Sequence, residues 1–423
     1  LLDQCGFQGY LSHVVQFGFS VPVPAFFLLT AALAQAAPLP DGVYEKALSR
    51  AKLKAATQSY CYETASGEVL GERVDAPVIP ASVTKAYTTY VALKKLGPDF
   101  RFLTRVSIET GARGAILHFA GDHDGYFVSE HVFYLMNLLA RQGVTGIERV
   151  TFDSKFYLNF ELEPARVRAQ LLNLMNPARW DDGMRASYDD FHSRAKTFGL
   201  ESQESAPGIQ TASVAFSDEN PLRPGKEQVI ELRSLPLLDL LKDMNVHSTN
   251  RFAKAVFVRL NDREEFNRVL REDLNASGTE LEFFDGSGGK ANHTTCRITL
   301  RLFRALEILL NGYSRKLDSA ISVAGMDGGT LRRRFLEPEA SGSVIGKTGT
   351  LPDVFVSTLA GLLSAQSGPL FYGIFNRYQG STLSAAHGFQ EEIVREILKA
   401  HDGKREIEHS PWDFEVLRGL IPN

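Results

Sequence analysis

Residues 80–97 read Pro80-Ala-Ser82-Val-Thr-Lys85-Ala-Tyr-Thr-Thr-Tyr90-Val-Ala-Leu-Lys-Lys-Leu-Gly97. The stretch predicts one helix. Pro80 stands where a helix begins, Lys94 and Lys95 fill the last turn, and Gly97-Pro98 stops it. Val83, Ala86, Tyr87, Tyr90, Val91 and Leu93 make it largely apolar, so it is expected to be buried. Ser82 and Lys85 are spaced to share one face of the opening turn. A serine hydroxyl is a poor nucleophile until a base takes its proton, and a desolvated lysine can be that base.

Ser-x-x-Lys alone is weak. The chain also has it at Ser49/Lys52, in a charged helix predicted over 41–54, and at Ser193/Lys196, near the end of a polar helical stretch closed by Gly199. Only Ser82 opens an apolar helix. Two further motifs follow in order, Ser248-Thr249-Asn250 at a helix entry and Lys347-Thr348-Gly349 on an edge-type strand. Taken singly, each has an ordinary structural explanation. Ser248 reads as an N-cap, Asn250 as a first-turn polar residue, and Lys347 as a charge that guards a strand edge. Together they compose a site. Ser82 attacks a carbonyl, Lys85 takes its proton, Ser248 relays a proton to a leaving amine, and Asn250 orients Lys85 and the substrate. Lys347, with the Thr348 and Thr350 hydroxyls, attracts a substrate carboxylate. Gly349 permits close approach to the strand, and the Ser82 and Thr350 N–H groups form an oxyanion hole.

Around this centre, a hairpin is predicted over 57–74, strands over 102–108, 115–119 and 148–152, and a helix over 132–142. The segment 160–210 reads as partly helical and charged, lying against the body without a core of its own. Helices follow at 237–244, 249–260, 264–274 and 298–310. A short strand at 282–289 leads into a Gly-rich loop, a three-strand meander runs from 342 to 375, a closing helix spans 386–400, and 402–423 reads as a polar tail. The implied class is α+β, helices on an antiparallel sheet whose strands come from both chain ends. The expected division is 38–100 with 226–423 as the main body and 101–225 as one inserted smaller α/β module.

The chain has 423 residues, a formal net charge of −4, and 44% hydrophobic residues. Nothing global points to nucleic acid or an anionic membrane. There is no apolar run suited to a membrane span. Residues 26–36 resemble a secretory h-region and cleavage site, although 1–37 lack Lys and Arg; a mature segment packed on the body is the alternative. Of three cysteines, Cys5, Cys61 and Cys296, the last two could pair, and the reading favours buried free thiols. His118, His123 and His131 with Asp122, Asp124 and Glu130 fit no standard metal spacing and read as surface polar groups around a turn.

The ordered motif set is of the kind carried by serine β-lactamases and penicillin-binding proteins. With Phe152-Asp153-Ser-Lys-Phe156, Asp285-Gly-Ser-Gly288 and Val323-Ala-Gly-Met-Asp-Gly-Gly-Thr-Leu331, the chain from about 41 to 400 resembles the penicillin-binding protein 4 type of D-Ala-D-Ala carboxypeptidase/endopeptidase. The resemblance implies a penicillin-binding/β-lactamase-like transpeptidase domain and a periplasmic enzyme. It implies cleavage of peptidoglycan stem peptides and cross-links, acylation by β-lactam antibiotics, and no cofactor. It implies a binding role for Asp153 toward the diamino acid side chain. The family's arginine after Asp-Gly-Ser-Gly is absent, and Lys290 is its replacement candidate. The interval from Ser82 to Ser248 has room for one inserted module rather than two nested ones. A β-lactamase-like serine hydrolase is the alternative activity, and a non-catalytic cell-wall binder the third.

Overall fold

The computed structural model describes residues 39–64, 66–260 and 262–421. The leader-like stretch and Cys5 lie outside the described residues. The chain opens with helix α1 (Val43–Ala51), hairpin β1 (Ser59–Glu63) and β2 (Val69–Glu72), then helix α2 (Thr84–Leu96). Next come β3 (Leu103–Gly111), β4 (Gly114–Ala120), α3 (Ser129–Arg141) and β5 (Gly146–Phe152). Helices α4 (Pro164–Leu174) and α5 (Asp182–Thr197) precede short strands β6 (Gln210–Thr211) and β7 (Val214–Phe216), then β8 (Gln228–Arg233). The chain continues through α6 (Leu237–His247), α7 (Asn250–Arg259), α8 (Arg263–Asp273) and α9 (Cys296–Gly312). It finishes with β9 (Ser322–Val323), β10 (Val344–Leu351), β11 (Val356–Ala365), β12 (Gly368–Arg377) and α10 (Leu383–Ala400).

Two sheets organise these elements. The first is antiparallel, in the order β2-β1-β12-β11-β10-β9. Its N-terminal hairpin docks on the C-terminal meander, with Ser59 opposite Phe375, as strands from both chain ends require. Ala365 pairs with Gly368, so the β11–β12 hairpin turns on Gln366 and Ser367. Alternation along β12 explains the long apolar run: Leu370, Tyr372 and Ile374 face α1 and α10, while Phe371 and Phe375 face α2 and α9. A sheet covered on both faces needs apolar residues at every position.

The second sheet is mixed, in the order β6-β5-β4-β3-β8 with β7 on β5. β4 and β5 run parallel because α3 supplies the crossover between them. Its core corrects the reading of 160–210. Val167, Leu171 and Leu174 of α4, Trp180, and Tyr188, Phe191 and Ala195 of α5 are buried under α3 and the sheet. The expected strand at 282–289 is only a bridge between Glu282 and His293.

The C-terminal segment is no free tail. Lys404 bridges Ala365, the His409 ring bonds Asp318 and Asp327, and Val416, Leu417 and Leu420 are buried in the second sheet's core. One segment therefore touches both sheets. The preference for free thiols is also overturned: Cys61 of β1 and Cys296 at the start of α9 form a disulfide, with Cα atoms 6.0 Å apart. Pairing residues so far apart in sequence restricts the unfolded chain strongly, so Cys61→Ser/Cys296→Ser is expected to lose about 2–4 kcal/mol of stability. A urea midpoint unchanged by the double exchange would contradict this. Among the described residues no helix is long and apolar enough to cross a membrane.

Candidate active site

The α2 helix is buried along its first ten residues, and the chain enters it through a 3-10 turn, Ala81–Val83, that carries Ser82. Ala81 sits at φ 48°, a left-handed conformation that costs a non-glycine residue about 1–2 kcal/mol. Strain of this kind persists where the surroundings over-determine the backbone. Here Thr358 Oγ1 donates to the Pro80 carbonyl at 2.9 Å, and the 285–289 loop closes on Ala81. A Cβ on Gly288 (φ 111°) would lie 2.8 Å from the Ser82 nitrogen, so only glycine fits. The Asp285 carboxylate shapes that loop by accepting from the amides of Ser287, Gly288 and Gly289 at 2.7, 2.8 and 2.9 Å.

Lys85 is fully buried one turn along. Its Nζ lies 3.0 Å from Ser82 Oγ, 2.6 Å from Asn250 Oδ1 and 2.7 Å from the Ser287 carbonyl. Burial lowers its pKa to about 7, with Asp285 opposing and Lys254 assisting. A neutral amine has two N–H donors and one lone pair. Asn250 Oδ1 and the Ser287 carbonyl accept from the two donors, which leaves the lone pair facing the Ser82 hydroxyl. The loop carbonyl is a partner that sequence reading missed, since a backbone oxygen has no residue-type signature.

Ser248 is not the N-cap it resembles. It terminates α6 at φ 58°, ψ 40°, and Thr249 takes the N-cap position of α7 without a side-chain capping bond. The left-handed backbone turns its Oγ toward Lys347, whose Nζ donates to it at 3.1 Å and to the Thr348 carbonyl at 2.9 Å. Lys347 is fully buried, and burial, with the Lys85 amine second, holds it well below the ordinary lysine range. Thr348 Oγ1 donates to Thr330 Oγ1 at 2.8 Å.

β10 pairs with β11 along its length but with β9 only at Ile345 and Gly346. Lys347–Leu351 therefore leave one edge without a strand partner among the described residues, and the Ser82 turn stands beside it. A Cβ on Gly349 would lie 2.8 Å from both the Pro80 carbonyl oxygen and the Ser82 nitrogen. The glycine thus admits the Ser82 turn close against the strand.

The remaining candidates stand on other elements. Asp153 follows β5 in the second sheet, and its Oδ1 accepts from the Gly121 and Lys155 amides, both at 3.0 Å. Lys290 is exposed. Asp327, in the third family-like stretch, supports the frame. Its carboxylate takes bonds from buried Lys242 at 2.6 Å, from the Val323 amide at 2.8 Å and from the Trp412 amide at 2.9 Å, anchoring the α6 helix that ends at Ser248. The histidines read as surface groups are largely buried: His118 meets Thr151 Oγ1 at 2.9 Å, and His131 stacks on Phe127.

The profile of the D-Ala-D-Ala carboxypeptidase 3 (S13) family matches residues 44–168 and 199–391. Carboxypeptidase DacB of Mycolicibacterium smegmatis is 25% identical over 405 residues, covering 87% of this chain and 84% of that protein. The predatory endopeptidase Bd0816 of Bdellovibrio bacteriovorus, solved with immunity protein Bd3460, superposes with a TM-score of 0.73 at 26% identity, covering 84% of this chain and 96% of that one. Penicillin binding protein 4 of Haemophilus influenzae shares the fold, with a TM-score of 0.60 at 16% identity over 84% of this chain and 98% of that one. With the profile spanning most of the chain around its serine–lysine centre, the chain belongs to the D-Ala-D-Ala carboxypeptidase 3 (S13) family and is a serine DD-peptidase of the penicillin-binding protein 4 type.

Proposed function

We propose that Ser82 is the nucleophile and Lys85 its base in the hydrolysis of D-Ala-containing peptide bonds of peptidoglycan, both carboxypeptidase and endopeptidase cleavage. The observation that carries this is the Lys85 amine, desolvated and held by Asn250 and the Ser287 carbonyl with its third position on Ser82. Ser82 Oγ attacks the carbonyl as its proton passes to Lys85 Nζ. Charge on the carbonyl oxygen falls between the Ser82 and Thr350 N–H groups, a placement supported by the close approach of β10 at Gly349. The C–N bond then breaks. Ser248 Oγ gives its proton to the leaving amine and is resupplied by Lys347 Nζ beside it, which in turn takes over the proton collected by Lys85, so both amines end the step as they began it. Water cleaves the acyl-Ser82 ester in the second half-reaction.

The acyl-donor peptide lies along the free edge of β10 as an added strand. Thr348, Gly349 and Thr350 line that edge, and the Lys347 amine beneath it adds attraction for the terminal carboxylate. Asp153 belongs to the proposal through its Oδ2 oxygen alone, which would take the ammonium of a diamino acid. We assign residues 101–225 to an inserted module, completed by β8 and the C-terminal segment. The disulfide supports export to an oxidising compartment, the periplasm, where the peptidoglycan and β-lactam partners are met.

Mass spectrometry after penicillin treatment tests the assignment. The expected result is a long-lived adduct on the peptide bearing Ser82, with D-Ala release and cross-link cleavage in muropeptide digests. Rapid turnover of penicillin without muropeptide cleavage would favour a β-lactamase instead. The pH profile supplies a second check. Lys85 accepts a proton only when neutral, and burial sets its pKa at about 7. The acylation rate constant is therefore expected to fall as pH drops through about 7 and to level off above it. A rate independent of pH across that range would exclude Lys85 as the base.

A further inference from the structure

A second cavity, of about 580 Å³, opens beside the segment that leads into Ser82. Lys54, Arg73, Arg377 and His293 line it, and among the described residues no Asp or Glu does. The four arrive from separate places: the α1–β1 linker, the end of β2, the end of β12, and the loop after Gly289. Elsewhere the chain pairs its cations with carboxylates freely, as Arg194 does with Glu130, Asp190 and Glu415. Here, among the described residues, Lys54, Arg73 and His293 have no side-chain hydrogen bond or ion pair, and Arg377 donates only to the Val354 carbonyl, at 3.2 Å. Lys54, Arg73 and Arg377 are exposed around one cavity, and a protein of net charge −4 has carboxylates enough to neutralise them. Arg73 also holds φ 52°, unusual for a bulky residue. The floor is apolar, made by Ile79, Val356 and Phe375.

We propose that this cavity is a binding site for an oxyanion, phosphate or carboxylate, carried on a small apolar body. Guanidinium groups suit both oxyanions through paired N–H donors, and the apolar floor takes the body. The site is separate from the Ser82–Lys85–Ser248–Lys347 cluster. Its floor residue Ile79 lies in the strand-like approach to Ser82, so an occupant would rest against the segment that positions that serine.

Titration calorimetry with phenyl phosphate, benzoate and benzyl alcohol tests this on the full chain. Saturable binding of at least one anion is expected, weakened by added salt and at least tenfold by Arg73→Gln/Arg377→Gln, with no binding of benzyl alcohol. Preference between phenyl phosphate and benzoate tells a phosphate ester from a carboxylate, and either outcome supports the site. Failure of both anions to bind, or binding that survives the double exchange, would overturn it. Penicillin labelling confirms the fold of the variant. If labelling is lost, Lys54→Gln in the exposed linker carries the same comparison, with weakening of at least threefold expected. These readouts do not use the Ser82 chemistry, so they stand or fall apart from it.

Discussion

Ser82→Ala is expected to abolish penicillin adduct formation and to lower peptide hydrolysis by about 10⁶-fold, the scale seen when a serine nucleophile is removed. Lys85→Met should fall short of that, by about 10²- to 10⁴-fold in the acylation rate constant, the range of a lost general base. The two exchanges differ in what they leave behind. Without the Ser82 oxygen no acyl-enzyme can form. With Met at 85 the hydroxyl is still in place, but on the proposed mechanism nothing takes its proton, and the pH dependence near 7 is expected to disappear with the amine. Stopped-flow acylation with a chromogenic cephalosporin, read alongside circular-dichroism melting, separates lost chemistry from lost fold. A Lys85→Met enzyme acylating at the wild-type rate would end the assignment of the base.

Gly349→Ala is the second large effect, and it acts through the backbone. The new methyl would lie 2.8 Å from the Pro80 oxygen and the Ser82 nitrogen, and would also collide with Thr358 Oγ1. The hydroxyl can rotate away; the two backbone atoms cannot. The Ser82 turn must therefore retreat from β10, widening the gap across which the reacting carbonyl is held. A displacement on the order of 1 Å can cost about 10²-fold in rate, while overpacking of this size destabilises a fold by about 1–3 kcal/mol. The expected result is acylation slowed about 10²-fold in a folded protein. Combining the exchange with Thr358→Ala should not restore the rate, because the backbone contacts remain. Wild-type acylation in Gly349→Ala would show that the turn does not need the strand so close.

The parts of this architecture that sequence made legible are those set by local pattern. The Ser82 helix shows through Pro80 ahead of it, Gly97 behind it and an apolar run between. The meander shows through its short apolar runs and the turn before Gly368. The parts that were misread depend on tertiary context. Ser248 looks like an N-cap because serine before a helix usually is one, yet its left-handed backbone gives the hydroxyl to Lys347 instead. The charges of 160–210 hid a sound helical signal: Val167, Leu171 and Leu174 are spaced four and three apart, and Tyr188, Phe191 and Ala195 three and four apart, on the faces that the structure buries. The stretch after 402 is polar on average, and its anchoring by His409 and by Val416–Leu420 rests on partners distant in the chain. Cys61 and Cys296 carry no mark of pairing, since 235 residues separate them.

That covalent link has a consequence for how such a chain can change in size. Everything from β1 to the start of α9 is one closed ring, with the Ser82 turn, α2 and the whole second sheet inside it. The entropy of closing a ring grows only with the logarithm of its circumference, about 0.6 kcal/mol for each doubling. Segments can therefore be spliced into or removed from that interval at little thermodynamic penalty, provided the ends still meet at the sulfur–sulfur bond.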